Sequence, residues 1–140
     1  MTFGNMGSRF RGNDGIGAGN DNTGMELAPD GSTVHPLLRT PHASLARFEL
    51  AAGAVAAAVM HRTVEELWYV LAGRGELWRR QGDQEEVIEL RAGVSLSIPC
   101  GAHFQFRAGD ETLVVLGVTM PPWPGEDEAV HVKGPWEPRT

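Results

Sequence analysis

The chain has 140 residues, a net charge of −6 and one cysteine, Cys100. Its length favours a single domain with enough buried surface for a core, and its acidic balance without a basic cluster argues against nucleic acid as a partner. The lone cysteine excludes an internal disulfide framework and no apolar run approaches the roughly 20 residues of a membrane helix, so we expect a soluble cytoplasmic protein without a membrane partner.

The first 24 residues differ in composition from the rest of the chain. Seven of residues 1–24 are glycine, Asn and Asp are frequent, and the few apolar residues show no period of 2 or 3.6. Such a segment buries too little apolar surface to offset the entropy lost on ordering it. The sequence therefore predicts a disordered N-terminal tail over residues 1–24. The abrupt change at Met25 leads to the hypothesis that Met25 is the natural start.

From Met25 onward, short segments rich in branched and aromatic residues alternate with turn residues. The predicted strands are Ala43–Leu50, Val55–His61, Glu66–Ala72, Arg74–Arg80, Glu85–Leu90, Val94–Ile98, His103–Arg107 and Thr112–Met120. Gly or Asp occupies nearly every gap, and no segment carries a helical apolar stripe over three turns. Short, regularly spaced strands with turn signals predict an all-β sandwich or barrel, here over residues 25–120.

Residues 121–140 form a tail rich in proline and tryptophan. The tail holds Trp123, Trp136 and five prolines. It is too apolar for a free linker, so we expect it to pack across the barrel wall or over one end of the barrel. The acidic run Glu126-Asp127-Glu128 within it is interpreted as a solvated surface.

Two glycine-framed motifs occupy the middle of the chain. The first is Gly53, five residues, Val59, Met60, His61, four residues, Glu66, six residues and Gly73. The second is Gly93, five residues, Pro99, Cys100, Gly101, two residues, Phe104, three residues and Ala108. These spacings resemble the paired signature motifs of the cupin superfamily. The stretches HRTVEELWYVLAGRGELWRR and IPCGAHFQF also resemble a group of small single-domain bacterial cupins often described as mannose-6-phosphate-isomerase-like.

The resemblance implies a double-stranded β-helix, or jelly-roll, barrel with a functional pocket inside it. In the family motifs, metal-binding histidines stand where this chain has Val59 and Phe104, and an asparagine stands where it has Ala108. Carried over position by position, the family's ligand set leaves His61 and Glu66. Metals held in such barrels are Fe, Mn, Ni, Zn or similar ions, which need three or four converging N and O ligands.

His61 and Glu66 are therefore the first candidate site residues. His103 is the candidate third metal ligand, although strand alternation turns it away from the face of Phe104 unless a bend after Pro99-Cys100-Gly101 re-aims it. Trp68, Phe104 and Phe106 are expected to share the inward face with His61 and Glu66, with core packing as their first role. The predicted ligand-binding set is His61, Glu66, Trp68, Phe104 and Phe106.

The sequence leaves three functions open. The first is a small cupin that binds a small molecule in the barrel pocket with a depleted set of metal ligands. The second is a metal-dependent enzyme of isomerase or oxygenase type that uses His61, Glu66 and His103. The third is a non-catalytic structural or regulatory module that acts through oligomerisation, with Ala43–Leu50 and the tail as candidate contacts. A homodimer is compatible with each, and the catalytic residues and the substrate stay unassigned.

Overall fold

The computed structural model describes residues 25–140, and within that range nearly all regular structure is β-strand. The predicted disordered tail, residues 1–24, lies outside the described residues. No helix in residues 25–140 is long and apolar enough to cross a membrane. The strands are β1 (Glu26–Leu27), β2 (Thr33–Arg39), β3 (Ser44–Leu50), β4 (Val59–His61), β5 (Glu65–Ala72), β6 (Arg74–Gln81), β7 (Gln84–Arg91), β8 (Ser95–Ile98), β9 (His103–Ala108), β10 (Leu113–Met120) and β11 (Ala129–His131), with one 3-10 turn at Glu126–Glu128.

The strands form two antiparallel sheets that face each other. One sheet has the order β1-β2-β3-β10-β5-β8, and the other has the order β11-β4-β9-β6-β7. Alternation along β5 shows why the sequence folds this way: Glu66, Trp68 and Val70 are buried, while Leu67, Tyr69 and Leu71 between them are exposed. The predicted all-β jelly-roll fold is confirmed.

Gly73 carries the chain from β5 in the first sheet to β6 in the second. Its φ of +88° lies in the left-handed region, and a Cβ atom at this position would collide with the backbone of Thr112. Glycine alone meets both conditions without strain. The sharp crossing places β5 and β6 in opposite walls, so the barrel closes over a single core.

An aromatic cluster fills the space between the two sheets. Trp68 lies 4.8 Å from Phe48 and 5.0 Å from Phe106, centroid to centroid, and each pair has the edge-to-face arrangement that aromatic rings prefer. Phe104 extends the cluster, with its ring centroid 6.1 Å from that of Trp68. Each of these side chains contributes on the order of 2 kcal/mol by leaving water. The middle of the barrel is thus occupied by the protein's own side chains.

The C-terminal tail packs against the outside of the second sheet. Its strand β11 pairs with β4, and the backbones of Val55 and Arg139 exchange two hydrogen bonds, of 2.6 and 2.7 Å. Gln105 points outward from β9, yet it is fully buried beneath the tail. Its amide donates to the carbonyls of Ala56 (2.9 Å) and Trp136 (2.8 Å) and accepts from the N–H of Trp136 (3.0 Å).

Replacing Gln105 by methionine is expected to lower the free energy of unfolding by about 2 kcal/mol, because the buried carbonyl of Ala56 and the half-buried backbone groups of Trp136 lose their partners. Urea unfolding measures this loss, and limited proteolysis is expected to release the tail first. Gln84→Met, at an exposed position, is the matched control. Equal stability of the two variants would show that the tail is not fastened by Gln105.

Candidate functional site

His61 and Glu66 lie together at the point where the chain passes from one sheet to the other. His61 ends β4 in the five-stranded sheet, and Glu66 lies near the start of β5 in the six-stranded sheet. The turn between them, residues 62–64, brings His61 Nδ1 to 3.6 Å from Glu66 Oε2. Both residues are buried, with 6% and 8% of their surface exposed. Sequence reasoning had predicted that these two side chains share the inward face.

The side chains of Glu66 and His61 differ in their hydrogen bonding. Glu66 Oε1 accepts a hydrogen bond of 2.6 Å from Trp68 Nε1, two residues along the same face of β5. Glu66 Oε2 is left to face His61. His61 Nδ1 is buried and has no hydrogen-bond partner among the described residues. A buried polar atom without a partner costs about 1–3 kcal/mol, so it calls for a physical explanation.

Two aromatic rings enclose the imidazole of His61. Phe104 lies 5.2 Å away on the core side, and Trp123 lies 5.0 Å away, both edge-to-face. Trp123 belongs to the segment that follows β10, and its backbone N–H donates to Ser44 Oγ at 3.0 Å. Sequence reasoning placed the tail on the barrel without selecting Trp123, because a proline-rich segment has no period from which a facing side chain is read.

A second residue that sequence reasoning missed is Glu128, which fixes the turn between His61 and Glu66. Its carboxylate accepts from Thr63 N–H (2.6 Å), Thr63 Oγ1 (2.7 Å) and Val64 N–H (2.8 Å). Only 4% of Glu128 is exposed, so its interpretation as part of a solvated acidic run is wrong. The sequence signal was weak, since Glu126 and Asp127 beside it are indeed exposed.

Burial shifts the pKa values of the pair in opposite directions. Desolvation lowers the pKa of His61 from 6.5 to about 4, with the nearby charge of Glu128 opposing it. Desolvation raises the pKa of Glu66 from 4.5 to about 7; the bond from Trp68 opposes this, and the charges of Asp30 and Glu128 reinforce it. For Glu128, burial would raise the pKa, but the bonds from Thr63 and Val64 outweigh burial and lower it. Between about pH 4 and 7 the pair is therefore uncharged, and Glu128 is ionised above its ordinary pKa of 4.5.

The predicted metal-ligand set of His61, Glu66 and His103 is not assembled in the structure. His103 is the first residue of β9, where it pairs with Met60 of β4 and Arg80 of β6. Because Phe104, the next residue, faces the core, strand alternation turns the His103 side chain outward. There its Nδ1 accepts a hydrogen bond of 3.2 Å from Arg80 Nη2. In residues 25–140, no three His, Cys, Asp or Glu side chains lie together as a metal site requires. The donors present do not fit a tightly held transition metal.

The five predicted ligand-binding residues are brought together, but they divide into two groups. Trp68, Phe104 and Phe106 pack mainly against one another in the core. His61 and Glu66 lie at one end of that cluster, where the ring of Trp123 packs against His61. The polar side chains of the candidate site, His61 and Glu66, therefore lie among aromatic rings at one end of the barrel rather than at its centre.

The family assignment follows from the region that contains both motifs. Residues 46–119, which are 74 of the 140, match the family model described as "Cupin domain". The chain belongs to the cupin domain family. The match runs from within β3 to within β10, so it includes His61, Glu66, Val59 and Phe104.

Solved structures agree with this cupin fold. KdgF from Halomonas sp. superposes with a TM-score of 0.61 at 19% identity, over 73% of this chain and 91% of that chain. The cupin domain of Cnp3 from Schizosaccharomyces pombe gives 0.61 at 13% identity, over 76% and 74%. Oxalate decarboxylase from Bacillus subtilis gives 0.68 at 15%, over 77% of this cupin but 29% of that longer chain. No curated protein matches the chain significantly. Identities this low show the fold alone, and the mannose-6-phosphate-isomerase-like grouping stays a prediction.

The two members of the polar pair are expected to change the stability of this cupin with opposite dependence on pH. His61 takes up a proton on unfolding between about pH 4 and 6.5, so it lowers the free energy of unfolding as the pH falls through that range. Glu66 releases a proton on unfolding between about pH 4.5 and 7, so it lowers the free energy of unfolding as the pH rises. In the wild type the two slopes offset each other.

Single variants are expected to reveal each slope. Glu66→Gln leaves His61 as the titrating member, and its stability in urea is expected to rise from about pH 4 to 6.5 more steeply than that of the wild type. His61→Phe leaves Glu66, and its stability is expected to fall from about pH 4.5 to 7. His103→Phe, on the outer face, is the control that keeps the wild-type profile. Profiles of both pair variants parallel to the wild type would contradict the assignment.

Proposed function

We propose that this cupin binds a small uncharged molecule with a hydroxyl or carbonyl group, without a tightly held metal, at the barrel end formed by His61 and Glu66. The observation that carries the proposal is the buried His61 Nδ1, which has no partner among the described residues and lies 3.6 Å from Glu66 Oε2. A ligand oxygen that reaches both atoms removes the cost of the unpartnered nitrogen.

The charge state of the pair supports an uncharged ligand. Between about pH 4 and 7 neither His61 nor Glu66 carries a charge in the folded protein. A neutral acid and a neutral imidazole offer one donor and one acceptor to a hydroxyl group, or a donor to a carbonyl oxygen. They provide no counter-ion for a carboxylate or an ammonium group. The ionised Glu128 nearby further disfavours an anion.

The surrounding rings support a ligand with a flat or sugar-like face. Phe104 and Trp123 lie 5.2 and 5.0 Å from the His61 ring, so the surroundings of His61 already accommodate flat aromatic rings. Most small-molecule sites combine such apolar walls with a few converging polar groups. The predicted contacts with Trp68 and Phe106 are less direct, because those rings lie further inside the core cluster.

Phenol is a suitable probe, and toluene is its matched control without the hydroxyl group. In protein labelled with ¹⁵N-histidine, phenol is expected to shift the His61 ring nitrogens saturably, whereas toluene shifts them at least tenfold less at equal concentration. Glu66→Gln is expected to weaken the phenol response, and His103→Phe is expected to leave it unchanged. Equal responses to phenol and toluene, or none to either, would overturn the proposal.

The alternative of a metal-dependent isomerase or oxygenase receives less support. A metal would be held by His61 and Glu66, with His103 turned away and Val59 and Phe104 in the two positions that would complete the set. The family's metals polarise carbonyls or bind oxygen when they are held by a full set of donors. Elemental analysis of protein purified without added metal tests this alternative directly: one Fe, Mn, Ni or Zn per chain, lost in His61→Ala, would replace the metal-free proposal.

A second candidate role, assembly into a homodimer, is favoured by one surface. Leu67, Tyr69 and Leu71 on the outward face of β5 are each 41–49% exposed, in the interior of the six-stranded sheet. Light scattering after size exclusion is expected to give a dimer for the wild type and a monomer for Tyr69→Glu. Val87→Glu, which changes an exposed residue of the other sheet, is the control. A monomeric wild type would exclude this role.

A further inference from the structure

Trp123, whose ring packs against His61, lies in a segment with few backbone hydrogen bonds. It lies in residues 121–125, between the end of β10 and the 3-10 turn. Three of the four residues from Pro121 to Pro124 are prolines, so Trp123 supplies the one backbone N–H of that stretch. That N–H donates to Ser44 Oγ, which in turn shares a hydrogen bond of 2.5 Å with Thr119 Oγ1.

The segment is anchored firmly only where it ends. On one side, Thr119 lies in the ladders between β10 and its neighbours β3 and β5. On the other side, Gly125 O accepts from Glu128 N–H, and Glu128 is bound to Thr63 and Val64. Moving the indole outward therefore breaks one hydrogen bond and the edge contact with His61, and it leaves both anchors intact.

The indole of Trp123 occupies the side of the imidazole that a ligand ring would take. Phe104 holds the core side of His61 and is itself buried, whereas Trp123 is partly exposed. The barrel centre behind Phe104 is filled by the aromatic cluster. Of the two rings beside His61, Trp123 is therefore the one on the solvent side, and a ligand for His61 Nδ1 and Glu66 Oε2 enters most directly there.

We propose that Trp123 is a plug in its own binding site, displaced when a ring-shaped ligand no larger than an indole takes its place beside His61. The inference rests on the proposed function and extends it by naming the entry side, the ligand class and the residue that sets ligand size. The ligand class is a flat or sugar-like ring with one hydroxyl or carbonyl group. Trp123 thereby excludes larger ligands and weakens the binding of smaller ones.

The test compares the binding of two probes, phenol and indole, to the wild type and to Trp123→Gly. With the plug removed, phenol is expected to bind at least tenfold more tightly, as followed by the His61 ring nitrogens. Indole is expected to bind Trp123→Gly saturably and to bind the wild type at least tenfold more weakly. Trp136→Gly removes the other tryptophan of the tail, whose ring lies 4.0 Å from the guanidinium of Arg107 on the outer sheet face, and is expected to leave both affinities unchanged.

Ser44→Ala keeps the indole and removes its tether, so it tests the plug without opening a cavity. Phenol is expected to bind this variant two- to fivefold more tightly than the wild type. Equal phenol affinity in the wild type, Trp123→Gly and Ser44→Ala would overturn the plug and leave the proposed function standing. Absence of phenol binding in all three folded proteins would overturn both.

Discussion

Replacing Glu128 by alanine lowers the free energy of unfolding by about 3 kcal/mol, because Thr63 and Val64 lose three hydrogen bonds to one buried carboxylate. The loss is larger than for an ordinary surface carboxylate because the N–H of Val64 stays buried without a partner. Urea unfolding at pH 7 measures it. Asp127→Ala is the matched control, since its neighbouring carboxylate is exposed, and it is expected to change stability by less than about 0.5 kcal/mol.

The same variant has a pH signature. The pKa of Glu128 is lowered in the folded protein, so its contribution is present above the ordinary pKa of 4.5 and is lost as the pH falls through the folded value. The difference in stability between the wild type and Glu128→Ala is therefore expected to be full at pH 7 and to shrink in acid. A difference that is independent of pH would mean that the side chain acts by packing rather than as a carboxylate.

Introducing histidine at positions 59 and 104 together is expected to create a tight metal site beside His61 and Glu66. Val59 and Phe104 face each other across β4 and β9, and both are buried. Val59 also lies on the same face of β4 as His61, two residues away. Imidazoles at both positions would join His61 and Glu66 to give three nitrogen donors and one oxygen donor, a set that suits Zn²⁺ or Co²⁺.

The gain of a metal site is measured with Co²⁺, whose visible absorption reports its coordination. The double variant is expected to retain about one Co²⁺ per chain after desalting, and the wild type is expected to retain none. Val59→His alone supplies one donor fewer and is expected to bind at least tenfold more weakly. Adding His61→Ala to the double variant is expected to abolish retention. A folded double variant without metal would show that positions 59 and 104 do not converge on His61 and Glu66.

Spacing and alternation predicted much of the fold and part of the site. The period of two in β5 placed Glu66 and Trp68 inward, because register in a half-buried strand is fixed by which face is apolar. The same rule turned His103 outward, and the structure keeps it there beside Arg80. The proposed bend after Gly101 does not re-aim it.

The residues that sequence reasoning missed all depend on contacts between distant parts of the chain. Trp123 reaches His61, Glu128 reaches Thr63 and Gln105 reaches Trp136, over separations of 62, 65 and 31 positions. The segments of Trp123 and Glu128 have no period, since prolines and a 3-10 turn interrupt the backbone pattern that relates position to facing direction. Gln105 lies in β9, where alternation turns it outward but does not indicate that the tail covers it. A buried carboxylate within an acidic run also looks, from sequence, the same as its exposed neighbours.

The single backbone donor of Pro121–Pro124 has a kinetic consequence. Three amides around His61 have buried or backbone partners. The amides of Thr63 and Val64 both donate to Glu128 Oε2, and the amide of Gly101 donates to the carbonyl of His61. The amide of Trp123 depends on a serine hydroxyl. In D₂O the Trp123 amide is therefore expected to exchange well before the other three, because it opens by local motion while they require a wider opening of the structure. Opening of residues 121–124 would then limit the rate of ligand association, so the observed association rate is expected to level off as the ligand concentration rises.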